Sequence, residues 1–261
     1  MKKFISSVFF GLSLAFPVTA MDNGLDKAQI ISGWEAANGS RMAALDFTLS
    51  EGWKTYWRAP GQNGIAPQFD FSGSKNVQSV EFFWPRPVPL GPKDIAAIGY
   101  KDRMTLPIRI TPKSQDHPIE LHVNAYLGVC KDVCMPIEVD LEQVLAGNTR
   151  HPKIIASLTD KTQTASLDHD VVFCSFSKKN NSLVMDISVR APALGKGEMV
   201  MVELSDPTAM ISVSTPRREG NTLSAQAYVN SGITSIARSD SRITVVGPTK
   251  AVEYIGCHKP E

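Results

Sequence analysis

The sequence predicts an all-β protein, two β-sandwich domains in tandem joined by a short helical linker. Three observations carry the prediction. Apolar and polar residues alternate in short runs, the period-two pattern of strands with one buried face. Gly, Pro, Asn and Ser separate the runs at spacings that suit antiparallel turns better than helical crossovers. The chain has 261 residues, long enough for two domains that each bury a core.

Residues 1–20 come first and stand apart. Met1-Lys2-Lys3, an apolar run over 4–16 and the small-residue exit Val18-Thr19-Ala20 predict a signal peptide cleaved after Ala20. The run is shorter than the about 20 apolar residues of a membrane-spanning helix. No later stretch qualifies, so the mature chain is expected to be exported and without a membrane span, in a compartment where thiols can be oxidised.

The first domain is placed at residues 21–148. Leu45, Phe47 and Leu49 share one face of a strand, and similar runs follow at 77–84, 104–110, 119–127 and 137–141. Only 141–146 and 153–158 read as helical. The second of these, between Gly147-Asn148-Thr149 and the polar stretch 159–166, defines a linker over 149–166. Strand candidates resume at 171–177, 183–189, 199–204, 210–214, 223–229, 241–246 and 252–257. About seven short strands in about 95 residues is the pattern of an immunoglobulin-like sandwich, placed at 167–261. All four tryptophans, Trp34, Trp53, Trp57 and Trp84, lie in the first half.

Charge narrows the function. Lys and Arg number 27 against 26 Asp and Glu, a net charge of +1 with no block of like sign. Nucleic-acid and anionic-membrane binding need a concentrated basic field, so neither is expected. The five histidines (His117, His122, His151, His169 and His258) show no metal-ligand spacing, and His122 reads as structural. No nucleotide loop, serine elbow or paired-carboxylate pattern appears.

The four cysteines carry the chemistry. Leu121, Val123, Ala125 and Leu127 alternate up to Gly128, and Ile137, Val139 and Leu141 resume the alternation after Pro136. Two strands flanking a short polar segment make a hairpin, with Cys130 and Cys134 at its tip. A bridge across so short a loop stabilises by about 2 kcal/mol, and at an exposed tip it suits redox exchange better than stapling. Three readings stand: a reversible redox pair, an inert disulfide, or a metal site, either zinc, which normally wants four ligands where only two are local, or Cu(I) on both thiolates with Met135 or Met104. Lys131 favours a thiolate at Cys130 and Asp132 opposes it, so local charge does not choose the attacking sulfur. Cys174 and Cys257 sit in the first and last strand candidates of the second half. Joining them closes a loop worth about 4.5 kcal/mol, so they are expected to form a structural disulfide.

The motifs Gly52-Trp53-Lys54-Thr55-Tyr56-Trp57-Arg58-Ala59-Pro60-Gly61, Trp84-Pro85, Gly99-Tyr100-Lys101-Asp102-Arg103-Met104-Thr105-Leu106-Pro107 and Tyr126-Leu127-Gly128-Val129-Cys130 through Cys134-Met135-Pro136 resemble the N-terminal periplasmic domain of the protein-disulfide reductase DsbD, closest to the branch that includes ScsB. The resemblance runs over roughly residues 27–145. It implies an immunoglobulin-like first domain, a periplasmic thiol–disulfide oxidoreductase, and Cys130 and Cys134 as the catalytic pair, with no cofactor; the second immunoglobulin-like sandwich is placed by its β pattern and by the two-domain layout of that branch. The implied partners are a thioredoxin-like or membrane electron donor and periplasmic clients that contain disulfides. The alternative is a non-catalytic binding or copper-handling module that uses the same cysteines as a static bridge or Cu(I) ligands. No electron-conducting membrane segment or thioredoxin-like domain follows in these residues, so the reductant is expected to be a separate protein. The Cys-x3-Cys spacing is tighter than in the best-known members. The stretch where the family carries an aromatic cap loop reads Pro92-Lys93-Asp94-Ile95-Ala96-Ala97-Ile98, with Ile95 or Ile98 as substitutes.

Three further features have structural and functional readings. Trp53, Tyr56 and Trp57 suit a core better than a client surface. Residues 81–92, with Pro85, Pro87, Pro89 and Pro92, suit a rigid loop better than a polyproline ligand. Tyr126 suits a contact with the sulfurs and a packed sheet position equally.

Overall fold

A computed structural model of the chain describes residues 23–260 apart from 62, 92–96, 166–170, 180–181, 207–208, 230–232 and 234. The signal-peptide expectation and most of the cap-loop stretch lie outside the described residues.

The first half is built from β1 (Leu25–Glu35), β2 (Arg41–Leu49), β3 (Lys54–Tyr56), β4 (Gln68–Asp70), β5 (Val77–Phe82), β6 (Val88–Pro89), β7 (Ile98–Lys101), β8 (Arg103–Pro112), β9 (Glu120–Cys130) and β10 (Cys134–Val144). One sheet has the order β1-β2-β8-β5, and the other runs β10-β9-β3-β7-β6 with β4 paired to β9. The alternation read from sequence is the cause. Leu45 and Phe47 of β2 and Leu106, Ile108 and Ile110 of β8 meet Leu121, Val123, Ala125 and Leu127 of β9 in one fully buried core. Trp57 and Trp84 join that core, which is what their size favours.

The chain changes sheets at Asp102, between β7 and β8. Its φ of 61° is one that aspartate tolerates better than most residues. Its carbonyl accepts from Leu49 N and its amide donates to Trp53 O, tying the turn to both sheets.

Residues 141–144 continue β10 as strand and are not helical as expected. Pairing with β9 in unbroken register as far as Glu120 outweighs local helix propensity. The second expected helix is present as α1 (Pro152–Thr159), with His151 capping Lys153 N and Pro152 in the first turn. It is not a loose connector. Ile154 packs against Ile31 and Ala44, and Lys153 pairs with the buried Asp46 of β2 at 2.6 Å.

The second half contains β11 (Gln163–Ala165), β12 (Val172–Lys179), β13 (Ser182–Arg190), β14 (Met199–Glu203), β15 (Ile211–Val213), β16 (Arg217–Glu219), β17 (Thr222–Val229), β18 (Arg242–Val246) and β19 (Ala251–Ile255). Its sheets run β11-β19-β18-β14 and β12-β13-β17-β15, with β16 paired to β17. β11 falls within the expected linker yet pairs in parallel with β19, so the second sandwich begins before residue 167. Val172, Met185, Ile187, Leu223, Ile243 and Val245 are among the residues of a separate core. The described residues are thus all-β in class, two sandwiches with one short α-helix.

Candidate functional site

β9 and β10 form the long hairpin expected from their alternation, and the register sets Cys134 directly opposite Cys130. The two are joined as a disulfide with Cα atoms 4.1 Å apart. Lys131, Asp132 and Val133 make the tip, closed by Lys131 N donating to Val133 O. Val133 is 69% exposed.

The two sulfurs occupy unlike environments. Cys130 is completely buried, packed with Tyr56, Leu90 and Ala97. Cys134 is exposed. An incoming thiolate can therefore reach Cys134, while Cys130 is screened.

Tyr56 completes the site. It ends β3, which pairs with β9 at Lys54↔Cys130 and Thr55↔Val129 and so runs beside the hairpin tip. Its hydroxyl lies 2.9 Å from Cys130 Sγ and 3.1 Å from Cys134 Sγ, and it donates to Asn63 O at 3.2 Å. Burial raises the phenol above its ordinary value, so it keeps its proton at neutral pH. One proton thus has three acceptors within reach. A thiolate at either sulfur would be the strongest of the three, because hydrogen bonds to charged acceptors are roughly twice as strong as neutral ones.

Two glycines permit this approach. A Cβ at Gly128 would lie 2.5 Å from Ile65 Cβ and 3.0 Å from the Tyr56 ring. A Cβ at Gly99 would meet Tyr56 Cα at 2.7 Å and Leu90 at 2.8 Å. Thr55 donates its hydroxyl to Gly128 O at 2.9 Å, fixing β3 against the hairpin. Ile65, Leu90 and Ala97 give the site an aliphatic wall. Ile98 is in the main core rather than this wall, and Ile95 lies outside the described residues.

Charges around the tip are solvated or held by backbone. Lys54, the register partner of Cys130, donates Nζ to Leu90 O at 3.3 Å. Lys131 donates to Glu51 O at 3.2 Å. His122 sits at the far end of the hairpin, 3.8 Å from both Asp140 and Glu142, away from the sulfurs. Among the described residues no cluster of three or more His, Cys, Asp or Glu is arranged to hold a metal ion.

Of the two readings of Tyr126 the structure has the sheet position, and the sulfur contact belongs to Tyr56. Tyr126 pairs with Glu138 and Gln68 farther along β9. The sequence offered a weak signal for Tyr56, the aromatic density of residues 53–57, which reads equally as core; Trp53, Tyr56 and Trp57 are indeed all buried.

Cys174 of β12 and Cys257, two residues past β19, form the second disulfide, with Cα atoms 5.7 Å apart and a sequence separation of 83. Both are buried in the second core. Backbone bonds flank the bridge, Cys174 N to His258 O at 2.9 Å and His258 N to Val172 O at 2.8 Å.

Residues 27–146 match the family model described as thiol:disulfide interchange protein DsbD, N-terminal. Among solved structures, the N-terminal periplasmic domain of ScsB from Proteus mirabilis superposes with a TM-score of 0.65 at 21% identity, over 94% of this chain and 97% of that one. At that identity the likeness concerns fold, and it extends through both sandwiches. No curated protein matches the sequence. The matched segment carries the whole hairpin, β3 and the disulfide at their junction, so residues 27–146 are similar to a DsbD-type N-terminal domain.

Proposed function

We propose that the chain is a periplasmic thiol–disulfide exchange protein in which Cys134 is the sulfur that meets partners and Cys130 is the resolving sulfur. The observation that carries this is the asymmetry of the bridge, one sulfur exposed and the other fully buried, with a protonated tyrosine hydroxyl in contact with both. A donor thiolate attacks Cys134 Sγ in line with the Cys130–Cys134 bond. That bond breaks, Cys130 leaves as a thiolate, and Tyr56 donates a hydrogen bond to it. The donor's second thiol then attacks the mixed disulfide, the donor departs oxidised, and both cysteines are reduced. Toward a client the direction reverses: the Cys134 thiolate attacks the client disulfide, and Cys130 releases the reduced client. Two electrons pass through sulfur alone.

The proposed organisation is a signal peptide over 1–20, the redox sandwich over 21–148, a connecting segment from 149 that carries α1, and a second sandwich that begins with β11 at Gln163. Cys174–Cys257 serves as a structural clasp. No described helix is long and apolar enough to cross a membrane, and the proposed location rests on the leader-like residues and the family. The donor is a thioredoxin-like or membrane redox protein, and the clients are periplasmic disulfides.

The test pairs a potential with a trap. The Cys130–Cys134 couple, measured in a variant without Cys174 and Cys257, should fall within the range of thioredoxins and isomerases, about −180 to −270 mV. A potential below about −300 mV would mark a static bridge. With Cys130→Ser, a mixed disulfide to a thioredoxin-like donor should accumulate on Cys134. Cys134→Ser should trap nothing.

A further inference from the structure

Two residues after Tyr56, Arg58 points to the other half of the molecule. Its guanidinium makes a two-pronged contact with Glu203 of β14, Nε to Oε1 and Nη2 to Oε2, both at 2.9 Å. The same Nη2 also bonds Glu253 of β19. Glu253 is only 4% exposed, and its second oxygen accepts from Arg242 at 3.1 Å. The guanidinium stacks 4.4 Å from the ring of the fully buried Trp57. Two arginines and two carboxylates thus form a neutral cluster, with Glu253 buried at its centre and Arg242 on its exposed side. Among the described residues, every ion pair that joins the first sandwich to a strand of the second runs through Arg58. Apolar contact accompanies it, because Met201, Val246 and Ala251 of the second half pack into the first core.

The placement matters because of what lies on either side. Trp57 N donates to Ile98 O and Ile98 N to Pro60 O, so residues 57–60 are pinned to β7. Just beyond them, Asn63 O receives the Tyr56 hydroxyl and Ile65 covers Gly128. The segment that Arg58 anchors therefore carries the carbonyl that orients the Tyr56 O–H and the side chain that closes over the hairpin.

We propose that Arg58, gripped by Glu203 and Glu253, is a positioning residue for the redox pair, and that the second sandwich thereby sets the reactivity of Cys134 by holding Tyr56 against the sulfurs. The proposal rests on the redox reading of Cys130 and Cys134, but its test does not require exchange with any partner. Arginine suits the task because its planar fork engages both carboxylates in one fixed geometry, which a lysine ammonium cannot do.

The test is the pH profile of iodoacetamide alkylation of Cys134 in the reduced full chain, carried out as a double-mutant cycle. Arg58→Ala should raise the midpoint of the profile and slow alkylation at pH 7 about fivefold, as a weakened hydrogen bond to a thiolate would. Tyr56→Phe should do the same or slightly more. The double variant should match Tyr56→Phe alone, because Arg58 acts through that hydroxyl. Should Arg58→Ala fail to fold, Glu203→Gln with Glu253→Gln removes the grip from the other side and should shift the midpoint in the same direction. A variant that melts earlier but keeps the parental midpoint, or effects of Arg58 and Tyr56 that simply add, would overturn the proposal and leave Arg58 as an interface residue. If the midpoints shift as expected while the trap on Cys134 stays empty, the exchange reading fails and the positioning role stands.

Discussion

The two disulfides are the same bond in opposite settings. Cys130–Cys134 closes four positions at an exposed tip, with one sulfur open to solvent and a hydroxyl beside both. Cys174–Cys257 closes 83 positions, with both cysteines buried between sheets. Loop length governs how much a bridge restricts the unfolded chain, and access governs whether a thiolate can attack it. The short bridge is poor at the first and open to the second; the long one is the reverse. A disulfide's role is thus set by where the fold places it.

This contrast can be broken most sharply at its chemical end. Cys134→Ser should abolish exchange with a disulfide substrate, a loss of at least about a hundredfold in single-turnover rate, since the remaining sulfur is inaccessible. Residual exchange at near-parental rate would mean that Cys130 is reached directly. Next in size is the clasp. Replacing Cys174 and Cys257 by Ala should cost about 4.5 kcal/mol by loop length, a fall of about 10 °C or more in melting temperature, whereas replacing Cys130 and Cys134 should cost about 2 kcal/mol or less. Calorimetry that found the reverse order would exchange the two assignments.

A third effect lies away from both bridges. Burial pushes the Asp46 carboxyl up, but hydrogen bonds from Lys153, Thr105 and Gln29 and the charge of Lys153 bring it to a net value below the usual one of 3.8. A carboxyl depressed in the folded state contributes stability at pH values above its unfolded pKa, and that contribution is lost as pH falls through the folded value. Melting temperature should therefore decline from about pH 4 downward, and Asp46→Asn should lower stability by about 1–2 kcal/mol at pH 7 while flattening the acid limb. An acid limb unchanged in Asp46→Asn would assign the decline to other groups.

The smallest effect expected is that of Tyr56→Phe on the exchange rate. Losing the hydroxyl reduces the thiolate fraction, yet a thiolate of higher pKa is a better nucleophile, with a Brønsted slope of about 0.4–0.5. The two partly cancel, leaving a fall of about threefold at pH 7, read by stopped-flow with a small aromatic disulfide.

Legibility followed the length of the elements. β9 and β10 show clean alternation over many residues, so the hairpin and its paired cysteines were readable. β8 and β2 were readable for the same reason. β3 has three residues and β4 has three, too few for any period to register. Their positions come from partners distant in sequence, Gly128 accepting from Thr55 and Phe69 pairing with Ala125. Tyr56 was hidden for that reason: its contact with Cys130 spans 74 positions, and the aromatic density around it reads equally as core. Residues 141–146 misled because Leu141, Val144 and Leu145 suit either a helix or a strand edge, and the choice was made by β9 across the ladder.

The unequal exposure of the two sulfurs also has a kinetic consequence. On the proposed mechanism every covalent encounter, with donor or with client, takes place at Cys134, so the protein has a single docking port. Donor and client cannot be held together; each must leave before the other arrives. Steady-state kinetics should then show parallel double-reciprocal lines, and a large excess of either partner should inhibit by occupying the port in the wrong half-cycle. Supply of electrons and demand for them would be matched by competition for one sulfur atom.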